Sequence, residues 1–168
     1  MTQSSSWTIR KVLPADASRI ASIYSEAILA HDATMILDPV SADEMADKIR
    51  SLGHRESILV ATSQEDEVVG WGIVKFYSDR PGYTKACETS LFVDVAYRGK
   101  GIGPRIQAAL MRQAKADEFH HIVVRIWAQN ARSITLHEQL GFTMVGIQKE
   151  IGHVNQQWID VAVMQCLL

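Results

Sequence analysis

The chain has too few cysteines to be held together by disulfides. Cys87 and Cys166 are the only two in 168 residues, which excludes a cross-linked secreted scaffold and suits a reducing compartment. No apolar run approaches the roughly 20 residues that a membrane helix needs, and Met1 to Ser6 is polar with no apolar signal region. A cytoplasmic protein is expected. Charge of one sign is also lacking. The formal net charge is −2, so nothing draws the chain broadly to nucleic acid or to an anionic membrane, and neither is expected as a partner. Internal repeats, low-complexity tracts and interdomain linkers are absent too, so residues 1–168 are read as a single domain.

What is present centres on Glu88 to Gly103, E-T-S-L-F-V-D-V-A-Y-R-G-K-G-I-G. Leu91, Phe92, Val93 and Val95 have the composition of a buried strand, and glycines follow at 99, 101 and 103. Ile102, Ile106, Ala109, Leu110 and Ala114 then recur at helical spacing. Such a turn can aim backbone N–H groups at a phosphate, helped by the positive end of the helix, and Arg98 and Lys100 add two charges. Two well-known phosphate loops are excluded. A nucleotide P-loop needs Ser or Thr after its lysine, where this chain has Gly101. A dinucleotide fingerprint needs a glycine where Ile106 stands and an acidic residue ending the next strand, which here ends Arg125-Ile126-Trp127.

The rest of the chain reads as strands and amphipathic helices in alternation. Trp7 to Val12 is a first strand, and Pro14-Ala15-Asp16 opens a helix whose stripe Ile20, Ile23, Tyr24, Ala27, Ile28 ends near Ala30. His31 to Val40 is a loop, and Ser41 with Glu44 is a capping box that starts a shorter helix. Ile58 to Thr62 and Val68 to Tyr77 form a hairpin about Glu65-Asp66-Glu67, with Gly70 and Gly72 weakening the second strand. Ser78 to Gly82 is a loop before the strand that carries Glu88. Ile122 to Trp127 is another strand, and Asn130 caps a helix from Ala131 to Leu140 that Gly141 stops. Strands near Met144 to Ile151 and Gln157 to Leu167, with His153-Val154-Asn155 between them, complete the chain.

Arg98-Gly99-Lys100-Gly101-Ile102-Gly103 resembles the pyrophosphate loop of the GNAT superfamily of acyl-CoA-dependent N-acetyltransferases, Arg/Gln-x-x-Gly-x-Gly/Ala. A second motif follows in the order that family uses. Asn130-x-x-Ser133, then His137 four residues on, then Gly141-Phe142, matches its Asn-x-x-Ala/Ser, aromatic or histidine, Gly-Phe pattern. Leu136-His137-Glu138, with Glu88 on the strand before the loop, is similar to the phosphinothricin and methionine sulfoximine acetyltransferase branch. So are Arg80-Pro81-Gly82-Tyr83 and the terminal Trp158-Ile159-Asp160-Val161. The departures are Thr34-Met35-Ile36-Leu37, where the branch has a Thr/Ser-rich stretch with an aromatic, then Phe92 for tyrosine, Thr89 for histidine, and Pro104 after the last glycine.

The resemblance implies an α/β GNAT fold, a mixed and mostly antiparallel sheet of about seven strands with about four helices, splayed near its middle to admit acetyl-CoA. It implies that Val93 and Val95 backbone pairs with the pantetheine arm, and that Gly99, Lys100, Gly101, Ile102 and Gly103 hold the pyrophosphate beside Arg98. A homodimer acting on a small amine or amino acid is expected with it. Glu88 sits among apolar and small residues, so a raised pKa suits it to take a proton from the amine; the other reading is an exposed strand-end carboxylate. The resemblance places His137 where other members have a tyrosine acid, and a core histidine is the alternative. Asn130 can cap its helix and touch pantetheine at once, Ser133 is a cofactor contact or a plain helix residue, and Arg80 with Tyr83 either grips a substrate carboxylate or is solvated. No metal is expected: Gly141 stands where a His-Glu-x-x-His site needs its second histidine, and His120 and His121 point apart on a strand. Three functions stay open: an amino-acid acetyltransferase, a GNAT for another small amine or a protein N-terminus, and a non-catalytic acyl-CoA-binding module.

Overall fold

Strand alternation gives this chain two cores, one on each face of its sheet. In the computed structural model, which describes residues 7–31 and 33–168, β2 (Ser57–Thr62) sends Leu59 and Ala61 to one face and Ile58 and Val60 to the other. The antiparallel partner β3 (Val68–Phe76) sends Val74 to the first face and Trp71 and Ile73 to the second, and Val69 joins the first face where the register shifts opposite Ala61 and Thr62. On the second face lies α1 (Ala17–Ala30), which follows a 3-10 turn at Pro14–Asp16 and buries Ile20 and Ile23. Beside it α2 (Ala42–Arg50) buries Met45. Ser41 and Glu44 form the expected capping box, with Glu44 N–H donating to Ser41 Oγ at 3.2 Å and Ser41 N–H to Glu44 Oε2 at 2.7 Å.

The first face holds α3 (Ile102–Ala116), whose Ile106 and Leu110 are wholly buried. Each such side chain contributes about 1.5–3 kcal/mol by leaving water. Gly72 explains how α3 comes so close: a Cβ there would lie 2.7 Å from Leu110 Cδ1 and 2.9 Å from Ile106 Cγ2. The glycine that weakens β3 as a strand is what seats the helix against it.

Seven strands form one sheet in the order β1-β2-β3-β4-β5-β7-β6, with β1 at Thr8–Lys11. β4 is Ala86–Val93, β5 is His121–Trp127, β6 is Thr143–Val154 and β7 is Gln157–Leu167. Every neighbouring pair is antiparallel except β4 with β5. Between β5 and β6 lies α4 (Ala131–Gln139), after which Gly141 turns the chain at φ +89°. One expected boundary moves: His153 and Val154 belong to β6, not to a loop. Asn155 and Gln156 both have positive φ and make a two-residue hairpin turn, so pairing runs on to Val154 opposite Gln157.

Candidate active site

The site is a gap in the sheet. β4 pairs with β3 along its whole length but with β5 only through Ala86, Cys87 and Glu88, so the two strands part beyond Glu88. Tyr77 N–H donates to the Ala86 carbonyl and Asp94 N–H to the Val69 carbonyl, which fixes even-numbered β4 residues as those bonded to β3. The N–H and C=O groups of Thr89, Leu91 and Val93 therefore face the gap. One of them is engaged: Arg98 Nε donates to the Val93 carbonyl at 3.2 Å.

At the open end the chain makes a 3-10 turn, Val95–Tyr97, capped by buried Asp94, whose Oδ1 accepts Ala96 N–H at 2.7 Å. Arg19 of α1 pairs with Asp94 and, at 3.2 Å, with Glu67, tying this turn to the second face. The glycine loop follows. Gly99 has φ +82° and Gly101 φ +78°, left-handed backbone that side chains rarely adopt, and a Cβ on Gly101 would meet nothing within 4 Å. Gly101 is the N-cap of α3, so the free N–H groups of the first helical turn border that open space. Lys100 Nζ lies 4.8 Å from the Tyr97 ring centre. A third cation, Arg132 of α4, reaches the loop, 3.7 Å from where a Gly99 Cβ would be. Sequence reading missed Arg132, although its place two residues after the Asn130 cap sets it at the same helix end.

Asn130 caps α4 with Oδ1 accepting Ser133 N–H at 3.0 Å, which leaves its amide N–H groups to donate elsewhere. His137 is buried, edge-on to Phe142 at 5.1 Å, and its Nδ1 lies 2.8 Å from the Ser133 carbonyl. A carbonyl only accepts, so Nδ1 carries the hydrogen and Nε2 of the neutral ring is an acceptor. Burial also lowers the His137 pKa, against a smaller opposing effect of the Ser133 bond. A neutral ring with its lone pair on Nε2 cannot donate from that atom, so this geometry does not fit the acid role expected for His137.

At the closed end Glu88 does not have the apolar setting expected of it. Lys75, its register partner on β3, lies 3.2 Å from Glu88 Oε1, and Arg125 of β5 contacts Oε2. Cross-strand neighbours share a face, which is why a strand of apolar neighbours in sequence carries an ion-paired carboxylate in space. Arg125 also lies 5.6 Å from the Tyr77 ring centre, and Tyr77 is edge-on to Tyr83 at 5.3 Å. Arg80, by contrast, is exposed, and among the described residues its guanidinium makes no ion pair; its backbone N–H meets Ser78 Oγ at 3.2 Å. Across this face Met35 packs on Gly152 of β6, where a Cβ would lie 2.5 Å from Met35 Cε. The segment after α1 thus reaches the far hairpin at Gly152. Thr34 holds it, lying 3.3 Å from the Tyr24 hydroxyl and accepting Ile36 N–H at 3.2 Å. Among the described residues no helix is long and apolar enough to cross a membrane, and no three His, Cys, Asp or Glu could hold a metal ion.

A sheet parted beside a glycine turn, with a carboxylate where the strands meet, agrees with what residues 9–163 match: the family described as Acetyltransferase (GNAT) domain. The chain belongs to the GNAT family. It is 32% identical over 159 residues to an L-methionine sulfoximine/L-methionine sulfone acetyltransferase of Pseudomonas paraeruginosa, covering 94% of this chain and 92% of the relative. An enzyme of the same description from Salmonella typhimurium is 32% identical over 166 residues, covering 96% and 94%. Among solved structures, a GNAT superfamily phosphinothricin acetyltransferase from Sinorhizobium meliloti in complex with AcCoA superposes with a TM-score of 0.92 at 31% identity, covering 96% of this chain and 88% of that one. The seven-stranded, mostly antiparallel sheet with four helices is this GNAT chain's version of the shared fold.

Proposed function

We propose that this GNAT protein transfers the acetyl group of acetyl-CoA to the α-amine of a small amino acid or amino-acid analogue. The observation that carries the reading is the gap between β4 and β5, with Glu88 at its closed end and the glycine turn at its mouth. Acetyl-CoA suits it. The open space at Gly101, the N–H groups of Gly99 to Gly103 and the cations Arg98, Lys100 and Arg132 match a pyrophosphate, and the unpaired edge of β4 at Leu91 and Val93 matches an amide-bearing arm. Val95, in the turn after β4, and Asn130 and Ser133, at the start of α4, are assigned to the same arm in this reading. Relatives that act on methionine sulfoximine and methionine sulfone, and a neighbour solved with AcCoA, support the same choice.

Bound acetyl-CoA supplies an acetyl thioester, whose C–S bond breaks as a C–N bond to the acceptor forms. The chain's part is to manage protons and charge. Val93 N–H, which points into the gap, stabilises negative charge developing on the acetyl oxygen. Glu88 takes the proton that the attacking amine must lose and passes it to water, from which the departing thiolate is protonated. His137 holds α4 through Ser133 and leaves the chemistry alone. Arg80 and Tyr83, on the loop before β4, receive the acceptor's carboxylate.

Residues 1–168 act as one domain in this reading, in the cytoplasm, where the free thiols Cys87 and Cys166 stay reduced. A homodimer completes it, supported by the edge strand β6 with Val145, Ile147 and Ile151 exposed; sedimentation tests the assembly. The function is tested by following thiol release from acetyl-CoA against a panel of amino acids and their decarboxylated amines. Release with the amino acids alone is expected. Equal rates with both would show that no carboxylate is read, and saturable cofactor binding without release would leave a non-catalytic module.

A further inference from the structure

Three charged side chains from three adjacent strands meet on the cleft face of the sheet: Lys75 of β3, Glu88 of β4 and Arg125 of β5. One carboxylate faces two cations, so the cluster carries one positive charge in excess. That charge is open to solvent, since 43% of each cation's side chain is exposed against 14% for Glu88. Among the described residues Lys75 and Arg125 have no other ion pair. Arg125 also lies beside the Tyr77 ring, which is itself edge-on to Tyr83. No motif in the sequence includes Arg125, and it stands closer to the proposed base than Arg80 does.

We propose that Arg125 reads a second anionic group on the acceptor, beyond the α-carboxylate, and releases Glu88 as it does so. The idea rests on the acetyltransferase reading above and narrows its acceptor to amino acids whose side chain bears a carboxylate, phosphinate or similar anion. Glu88 and the acceptor's anion compete for one guanidinium. A carboxylate lone pair held by Arg125 is not free to take an amine proton, so the base is masked while the fork grips it. An anionic acceptor offers Arg125 a replacement partner, and one charge-assisted pair is exchanged for another. A neutral acceptor offers none. It binds less well and also meets an engaged base, so both KM and kcat suffer.

L-Phosphinothricin and L-methionine sulfone make the test, because they are near-isosteric and differ in a phosphinate anion against a neutral sulfone. With saturating acetyl-CoA, the wild type should favour phosphinothricin by about tenfold or more in kcat/KM, the scale of one charge-assisted hydrogen bond. Arg125→Ala should raise KM for phosphinothricin by about tenfold, raise kcat for the sulfone, and leave KM for acetyl-CoA unchanged. Arg125→Lys, which keeps charge but loses the fork, should fall between the two. A purely structural role would lower both acceptors by one common factor. Equal use of the two probes, a preference for the sulfone, or turnover of other amines with neither probe overturns the proposal. Absence of thiol release with any amine would instead overturn the acetyltransferase reading beneath it.

Discussion

The two ends of the gap are built by different rules. At the glycine end a short run of chain does most of it: positive φ at Gly99 and Gly101, a helix start at Ile102, and two cations within the same six residues, joined from α4 by Arg132. At the Glu88 end nothing is local. Lys75, Glu88 and Arg125 come from three strands, and Tyr77, beside Arg125, from the chain after β3. A site made by backbone geometry tolerates change around it, whereas a site made by cross-strand neighbours changes character with any one of them. Of the departures from its branch, Thr34-Met35-Ile36-Leu37, Thr89 and Phe92 lie outside the glycine turn, while Pro104 falls in the first turn of α3, where proline is well accepted.

The sharpest break in this comparison is expected at the acceptor end. Glu88→Gln should keep cofactor affinity and lose on the order of 10²–10⁴ in turnover near neutral pH. Wild-type rates across a full pH profile would remove Glu88 from the chemistry. At the other end, Gly101→Asp puts a carboxylate and a strained backbone where phosphate is to sit, and should weaken acetyl-CoA binding by at least about tenfold. Calorimetry on the folded variant checks it, and unchanged affinity would move the pyrophosphate elsewhere. A smaller effect is expected from Arg80→Lys, because Arg80 is exposed: KM for the amino acid should rise about two- to fivefold with KM for acetyl-CoA unchanged.

The smallest effect concerns His137 and separates its two readings. Burial lowers its pKa in the folded protein, so the unfolded chain binds a proton more readily as pH falls through the ordinary histidine range near 6.5. Stability conferred by the neutral ring is complete above that range and erodes below it. His137→Gln should therefore flatten the fall in Tm between about pH 7 and 5. A variant that keeps turnover would agree with a ring that holds α4, and one that loses turnover without losing stability would restore the acid role.

How much of this was legible follows from the same division. Elements with their own punctuation were read well, such as the Ser41–Glu44 box, the Asn130 cap and the glycines before α3, because those signals act over a few residues. The β6–β7 turn was misread because a two-residue turn at Asn155-Gln156 carries no glycine to mark it. The surroundings of Glu88 were inferred from sequence neighbours, and a strand's real neighbours lie across the ladder. Arg125 was missed for that reason. The tautomer of His137 depends on a carbonyl one helical turn back that sequence does not display.

The parting of β4 from β5 bears on folding as much as on chemistry. Only Ala86, Cys87 and Glu88 stitch β1 through β4 to β5, β6 and β7 in the ladder. Two cooperative units riveted at one end should open separately, and amide hydrogen exchange would see them with distinct protection. An arm that pairs with Leu91 and Val93 closes the open seam as a further strand would, and at a hundred times its Kd it adds about 2.7 kcal/mol to the folded state. The cofactor is then part of the architecture, and the resistance of this protein to heat and proteolysis should track the acetyl-CoA concentration around it.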